Sequence, residues 1–413
     1  DAVLQPHAVG VQVEVVAAGG AARQQELGHG DLRGHAHHLG REPRPQLVQV
    51  REPAKQLGVL RLRHHTGKAL VHVVVGVHQT GGDQMALRVN HLVSLQCVWR
   101  QVGRSAHESD AVTLDINRSV AQLGGVFRVT EGIHAEFGDS RIFNSPIAES
   151  GIVGTAIGLA MRGYRPVAEI QFDGFVFPAF NQITSQLAKL TSRSEGFLQM
   201  PVVIRIPYGG GIGAVEHHSE SPEAYFAHTA GLRIVTPSNP NDAYWMIQEA
   251  IKSPDPVIVF EPKRRYWQKG PVNLDIPPMP LHSARLMREG TDVTLLAYGP
   301  MVTTALQAAE LGAEEGINIE VIDLRSLSPI DYPTLFASAN KTGRVVIVHE
   351  APTNVSISSE IAARIAENCF YSLEAPVLRV GGFDTPYPPA KLEEAYLPDA
   401  DRILEAVDRS LAY

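Results

Sequence analysis

Cysteine is nearly missing from this 413-residue chain: Cys97 and Cys369 are the only two. They exclude a disulfide framework and suit a reducing compartment. No apolar run approaches the roughly 20 residues that a membrane span needs. The opening "DAVLQPHAVG" has no basic stretch followed by a hydrophobic one, so no secretory leader is expected and a cytoplasmic location is the reading. Basic charge is also short, with 36 Lys and Arg against 44 Asp and Glu and a net charge of −8. Nucleic acid and an anionic membrane surface are therefore poor candidates for the main partner. Up to Asp110 there is no Phe, Tyr or Ile, and Lys55 and Lys68 are the only lysines, which leaves little to build a dense core.

What fills that stretch is Val, Gln, Gly, Arg and histidine. "HAHH" (35–38) and "RHH" (63–65) have metal-binding chemistry, but no cysteine or carboxylate completes a ligand spacing beside them. Compositional accident is the favoured reading. "ALVHVVVGVH" (69–78) is the best strand candidate there. Residues 1–115 are expected to lie outside the functional fold, and a protease-resistant unit within 1–110 would contradict this.

From Val112 onward short Val- and Ile-rich runs alternate with helical stretches. Strands are expected at 167–172, 201–207, 232–237 and 256–262, with helices at 149–163, 178–192, 222–230 and 240–252. Continuous rather than alternating apolar strands separated by helices indicate a parallel sheet covered on both faces. Proline-rich "GPVNLDIPPMPLHSARL" (270–286) reads as a linker. A second series follows at 292–299, 317–325, 344–351 and 377–382. The expected organisation is an α/β domain over 116–270, a linker over 271–289 and a second α/β domain over 290–413.

Ligands of open parallel sheets gather at the carboxyl ends of strands, and three stretches lie there. "NSPIAESGIVGTAIGLAMRG" (144–163) puts Glu149 at a helix start, where the dipole favours a carboxylate and a capping acid is the plain alternative. Gly151, Gly154 and Gly158 in that helix permit close packing. "QFDGFVFPAFNQ" (171–182) runs from Gln171 through Phe175, Phe177 and Phe180, either as core aromatics or as a flat surface for an aromatic ligand. "GGGIGAVEHHSESPEAYFAH" (209–228) places His217 and His218 after a glycine-rich turn, in a loop where imidazole can exchange protons near neutral pH.

Taken together and in order, these stretches resemble the E1 beta subunits of thiamine-diphosphate-dependent 2-oxoacid dehydrogenase complexes. The resemblance runs from about Leu123 to Tyr413 through "LGGVFRVTEGI", the three stretches above, "VIVFEPK", "TDVTLLAYG", "VIDLRSLSP" and "HEAP". "FEPK", "HEAP" and "LEAPVLRVGGFDTPYPP" look closest to the branched-chain type, with the pyruvate type as near relative. The resemblance implies a pyrimidine-binding parallel-sheet domain followed by a transketolase C-terminal-like domain. It implies that Glu149 hydrogen-bonds the aminopyrimidine of thiamine diphosphate, that Phe175 packs on that ring, and that Gln171 lies with the cofactor. His218 would handle protons as the acyl group passes to a lipoyl arm, with His217 a neighbour. The diphosphate-holding "GDG…N" pattern is not matched by "GHGD", "GGDQ", "FGDS" or "FDGF". An E1 alpha subunit would therefore supply the Mg2+ site in an α2β2 assembly, working with the E2 lipoyl acyltransferase and E3. A potassium ion held by backbone carbonyls of Met200, Val202, Val203, Ala250, Ser253 and Asp255 is a further implication.

One departure stands out. Where the family carries a "GEDV"-like segment with an acid at the active site, this chain has "NRSV" (117–120), so Arg118 reverses the charge. The helix ahead of that segment is not recognisable, and a parallel sheet lacking its first strand would expose an edge. A cation beside the cofactor disfavours the protonated states that the chemistry uses, so weak or absent turnover is expected of the chain as it stands.

Overall fold

The computed structural model describes residues 120–413, together with the backbone of six earlier strands. Five of these belong to a unit over residues 1–99: β1 (Gln12–Ala17), β2 (Leu47–Gln49), β3 (Gln56–Arg63), β4 (Leu70–Val75) and β5 (Ala86–Arg88). They form an antiparallel β1-β3-β4 sheet and a β2-β5 pair. β4 falls on the strand expected at 69–78. Both histidine clusters contain residues outside those described.

The second unit spans residues 100–413. Its larger sheet begins with the sixth early strand, β6 (Ala111–Asp115), and continues with β7 (Ile142–Asn144), β8 (Arg165–Glu169), β9 (Val203–Tyr208), β10 (Arg233–Val235) and β11 (Val257–Pro262). Six strands in the order β10-β11-β9-β8-β6-β7 are parallel throughout. The sheet expected to begin at residue 116 and to lack a strand thus reaches back to Ala111. β6 pairs on one side with β8, Thr113 opposite Val167, and on the other with β7, Thr113 opposite Ile142.

The smaller sheet holds β12 (Arg285–Arg288), β13 (Val293–Ala297), β14 (Ile319–Asp323), β16 (Val345–Pro352) and β17 (Leu378–Gly382) in the order β12-β14-β13-β16-β17. β12 lies in the stretch expected to be linker and closes one edge antiparallel to β14. Between β14 and β16, the short β15 (Ser326–Ser328) crosses over to pair with β10, so the second half supplies the edge of the first sheet. Sequence spacing does not show this return, because three residues carry no period.

The principal helices are α1 (Glu149–Met161), α2 (Pro240–Lys252), α3 (Met301–Glu314), α4 (Tyr332–Thr342), α5 (Ile357–Cys369) and α6 (Ala400–Leu411). Real start signals are visible in them: Asn239 caps α2 through the Asp242 amide with Pro240 in the first turn, and Asp331 and Asp399 cap α4 and α6. One apolar cluster passes from Ile152 in α1 through Ile204 and Phe260 to Leu296, Ile347 and Ile365, so the two sheets share a core. In α1, Gly154 and Gly158 face open space within the described chain, and the close packing expected of them is not made there.

A buried acid bridges the two halves. Glu223 accepts a hydrogen bond of 2.6 Å from the Tyr298 hydroxyl at the end of β13, and burial pushes its carboxyl up to about 7. A carboxyl raised in the folded state contributes its stability below its unfolded value and loses it as pH climbs through the folded one. Glu223→Gln is therefore expected to raise Tm at pH 8 by the equivalent of about 2–3 kcal/mol. The gain should shrink toward pH 5, as read by thermal melts across that range. A gain independent of pH would show that titration is not its cause.

Candidate active site

Parallel strands direct their carboxyl ends to one edge, and the sequence-identified residues follow those ends. Glu149 opens α1 with its backbone in the first turn; it is 8% exposed and its carboxylate has no hydrogen-bond or ion-pair partner among the described residues. The acid of a buried residue normally has partners, so this one is available to a donor from outside the described residues. α1 packs against a 3-10 helix, Asp173–Ala179, which in turn packs against a second one, Glu216–His218.

Gln171 lies just past β8. Its amide donates to Glu169, while its side-chain carbonyl oxygen is buried without a partner among the described residues. Phe175 is 37% exposed and meets both imidazoles edge-on, with ring centres 5.8 Å from His217 and 5.2 Å from His218. His218 also lies against Phe172 at 4.6 Å, and its buried Nδ1 has no partner among the described residues. Burial lowers its basicity, with the charges of His217 and Lys263 acting the same way and Glu216 opposing them. The imidazole is thus biased toward its neutral, proton-accepting form. His217 is exposed, in keeping with a neighbour's place.

The six potassium candidates sit at the start of β9 and the end of α2. Carbonyls of Met200, Val202, Ala250, Ser253 and Asp255 already accept protein hydrogen bonds of 2.7 to 3.2 Å. The Arg165 guanidinium donates to Ile251 at 2.6 Å and Ser253 at 3.1 Å, which puts a fixed positive charge at that helix end.

Three further groups lie beneath the site. The Lys263 ammonium and Asp173 carboxylate form an ion pair with both side chains 0% exposed, and Lys263 also donates to the His218 carbonyl. The second Asp173 oxygen accepts the Glu220 amide at 2.9 Å. Burial pushes the Asp173 carboxyl up to about 6 and the Lys263 ammonium down, while each holds the other part-way back. Next to them Arg205 on β9 bridges Glu169 on β8 and Glu261 on β11, at 2.7 and 2.8 Å to the latter. Desolvation alone would lower the guanidinium's basicity, but Glu261 and Glu169 together raise it. The signal for this trio was present: charges inside otherwise apolar strands on three neighbouring strands of one sheet.

The glycine-rich turn serves a different neighbour from the one expected. Amides of Gly210, Gly211 and Gly213 donate at 3.2, 2.8 and 2.9 Å to carboxylates of Glu350 and Glu393 from the second half. A Cβ on Gly210 would stand 1.8 Å from the Tyr387 hydroxyl, so the close approach is to the chain's own side chains. Nearer the imidazoles the tight position is Gly174, where a Cβ would lie 2.4 Å from the His217 carbonyl. Arg118 is outside the described residues.

Residues 101–268 match the transketolase pyrimidine binding domain and residues 282–403 the transketolase C-terminal domain. The chain is 66% identical over 310 residues to the pyruvate dehydrogenase E1 component subunit beta of Leifsonia xyli subsp. xyli, a match covering 75% of this chain and 92% of that protein. It is 50% identical over 333 residues to the 3-methyl-2-oxobutanoate dehydrogenase subunit beta of Mycobacterium tuberculosis, covering 80% and 96%. Among solved structures it is similar to one described as a split gene transketolase, inactive beta4 tetramer, with a TM-score of 0.60 and 26% identity over 74% of this chain and 93% of that one.

Proposed function

Because the chain belongs to the E1 beta subunit family of 2-oxoacid dehydrogenases, we propose that it works with an E1 alpha subunit, as α2β2, on branched-chain 2-oxoacids such as 3-methyl-2-oxobutanoate. The acyl product passes to the lipoyl group of an E2 acyltransferase, with E3 completing the complex. The observation that carries this reading is what lies at one sheet edge without a partner among the described residues: the side chain of the 8%-exposed Glu149, and the buried atoms Gln171 Oε1 and His218 Nδ1.

These groups fit the pyrimidine half of thiamine diphosphate. Glu149 would hold a ring nitrogen, Gln171 Oε1 would accept from an amino group, and Phe175 offers a partly exposed ring face. When bound, thiamine diphosphate supplies the electron sink for loss of carbon dioxide. His218 would carry the protons of acyl transfer, giving one to the sulfur released as the lipoyl disulfide opens and taking one from the hydroxyl that becomes the acyl carbonyl, and burial biases the imidazole toward the neutral form that takes the proton. The magnesium–diphosphate end is assigned to the alpha subunit.

A second reading, pyruvate as substrate, is favoured by the 66% identical relative. A third, a partner that supports the alpha subunit without catalysing, is favoured by Arg118. Steady-state assays of the reconstituted pair separate them. The proposal expects kcat/KM for 3-methyl-2-oxobutanoate to exceed that for pyruvate by about tenfold or more. The reverse ratio supports pyruvate. Thiamine diphosphate binding with no turnover of either acid supports the non-catalytic partner.

A further inference from the structure

We propose that Lys263 and Asp173 are the positioning pair of His218: Lys263 holds the His218 carbonyl and the Asp173 carboxylate together, Asp173 holds the Glu220 amide, and the two fix the imidazole against Phe172 and Phe175. This rests on the reading that His218 exchanges protons with the acyl acceptor.

The geometry is that of a clamp rather than a stabilising bridge. A buried ion pair is weak support for a fold, since desolving two charges offsets most of their attraction. Here both side chains are fully buried, yet their remaining hydrogen-bonding capacity goes to the backbone on either side of one residue, Ser219. The His218 carbonyl is held from below by the ammonium, and the Glu220 amide by the carboxylate. The segment cannot slide or rotate without breaking a charged hydrogen bond, which is worth roughly twice a neutral one. The ammonium also lies 5.1 Å from the centre of the Phe172 ring, the ring that meets the imidazole. Gly174, directly after Asp173, leaves room for the His217 carbonyl to sit where any side chain would collide. Three elements thus converge on one peptide segment: the turn after β8, the histidine loop and the turn after β11.

The clamp has an electrostatic consequence. Charged and titratable groups around the imidazole are Glu216 and His217 on its own turn, Glu220 just beyond it, Asp173 on the neighbouring 3-10 helix and Lys263 on the turn after β11. Lys263 is the fixed cation of that set, and its charge favours neutral imidazole. Removing it lets His218 take a proton at higher pH.

The test uses the reconstituted full-length pair and three variants: His218→Gln, Lys263→Met, and the double Lys263→Met/Asp173→Leu, which removes both buried charges and keeps the fold. One readout is independent of turnover: the pH dependence of diethyl pyrocarbonate modification at residue 218, located by peptide mass spectrometry, since only neutral imidazole reacts. The others are Tm and the kcat and KM for acylation of a lipoyl domain. The clamp predicts that Lys263→Met and the double variant move the modification midpoint to higher pH. It also predicts that both lower kcat for acylation by about tenfold to a hundredfold, with KM for the 2-oxoacid unchanged. The double variant should regain the Tm of the unmodified chain without regaining either. A double variant with the original midpoint and the original kcat overturns the proposal. Full acylation by His218→Gln would instead overturn the reading of His218 itself, while the modification midpoints still judge the clamp.

Discussion

Glu149→Gln is expected to reduce turnover by the reconstituted pair by about 10²–10⁴-fold, the range for losing a positioned acid or base. Tm should stay within a few degrees. The substitution is nearly isosteric, so α1 keeps its start and its packing. It removes only the ability to accept a hydrogen bond at both oxygens and to exchange a proton. Glutamate at a helix start has a plain structural role, and the size of the effect separates the two. An acid that merely complements the helix dipole contributes about 0.3–1 kcal/mol of stability and nothing to rate. The structure argues for the larger role, because Glu149 is 8% exposed, and its carboxylate caps no backbone amide and has no partner among the described residues. Kinetics measured beside a melting curve, on the same preparation, distinguish a lost catalyst from a frayed helix. A variant with intact turnover and a slightly lower Tm leaves Glu149 as a capping residue.

Arg205→Met should have the largest effect on stability. Arg205 is held between Glu169 and Glu261, and all three side chains are largely removed from water. Removing the cation leaves two carboxylates facing each other across a strand. Breaking a buried pair in this way costs about 3–5 kcal/mol, on the order of 10 °C in Tm for a chain of this size. Adding Glu169→Gln and Glu261→Gln to the same chain should recover most of the loss, since the uncompensated charge is then gone. The change also reaches the site, because Glu169 is the group that accepts from the Gln171 amide. If Arg205→Met melts within two or three degrees of the original, with the pair's charges titrating freely, the network does not hold the sheet edge.

Elements with many apolar contacts were legible in the sequence. The strands at β8, β9, β11, β13, β14 and β16 fall where Val- and Ile-rich runs put them, and the helices α1 and α2 lie in the stretches between such runs. Short elements were not. β6, β12 and β15 have five, four and three residues, and each is specified by a neighbour's hydrogen bonds rather than by its own pattern. The site divides in the same way. Glu149, Phe175 and His218 stand at strand ends or helix starts, where position alone suggests chemistry. Lys263, Asp173 and Arg205 owe their importance to partners 36 to 90 residues away, a distance over which spacing says nothing. The glycine-rich turn misled for a related reason: glycine reports that something comes close, not whether it is a ligand or a carboxylate of the same chain.

The central claim is that Glu149 meets a cofactor whose other end is held by a second chain. A structure of the reconstituted alpha–beta pair with thiamine diphosphate tests it most directly. The account predicts the Glu149 carboxylate within hydrogen-bonding distance of the pyrimidine ring, with the diphosphate and its metal ion on alpha-subunit residues. A Glu149 side chain turned to solvent, or a diphosphate held entirely by this chain, would contradict it.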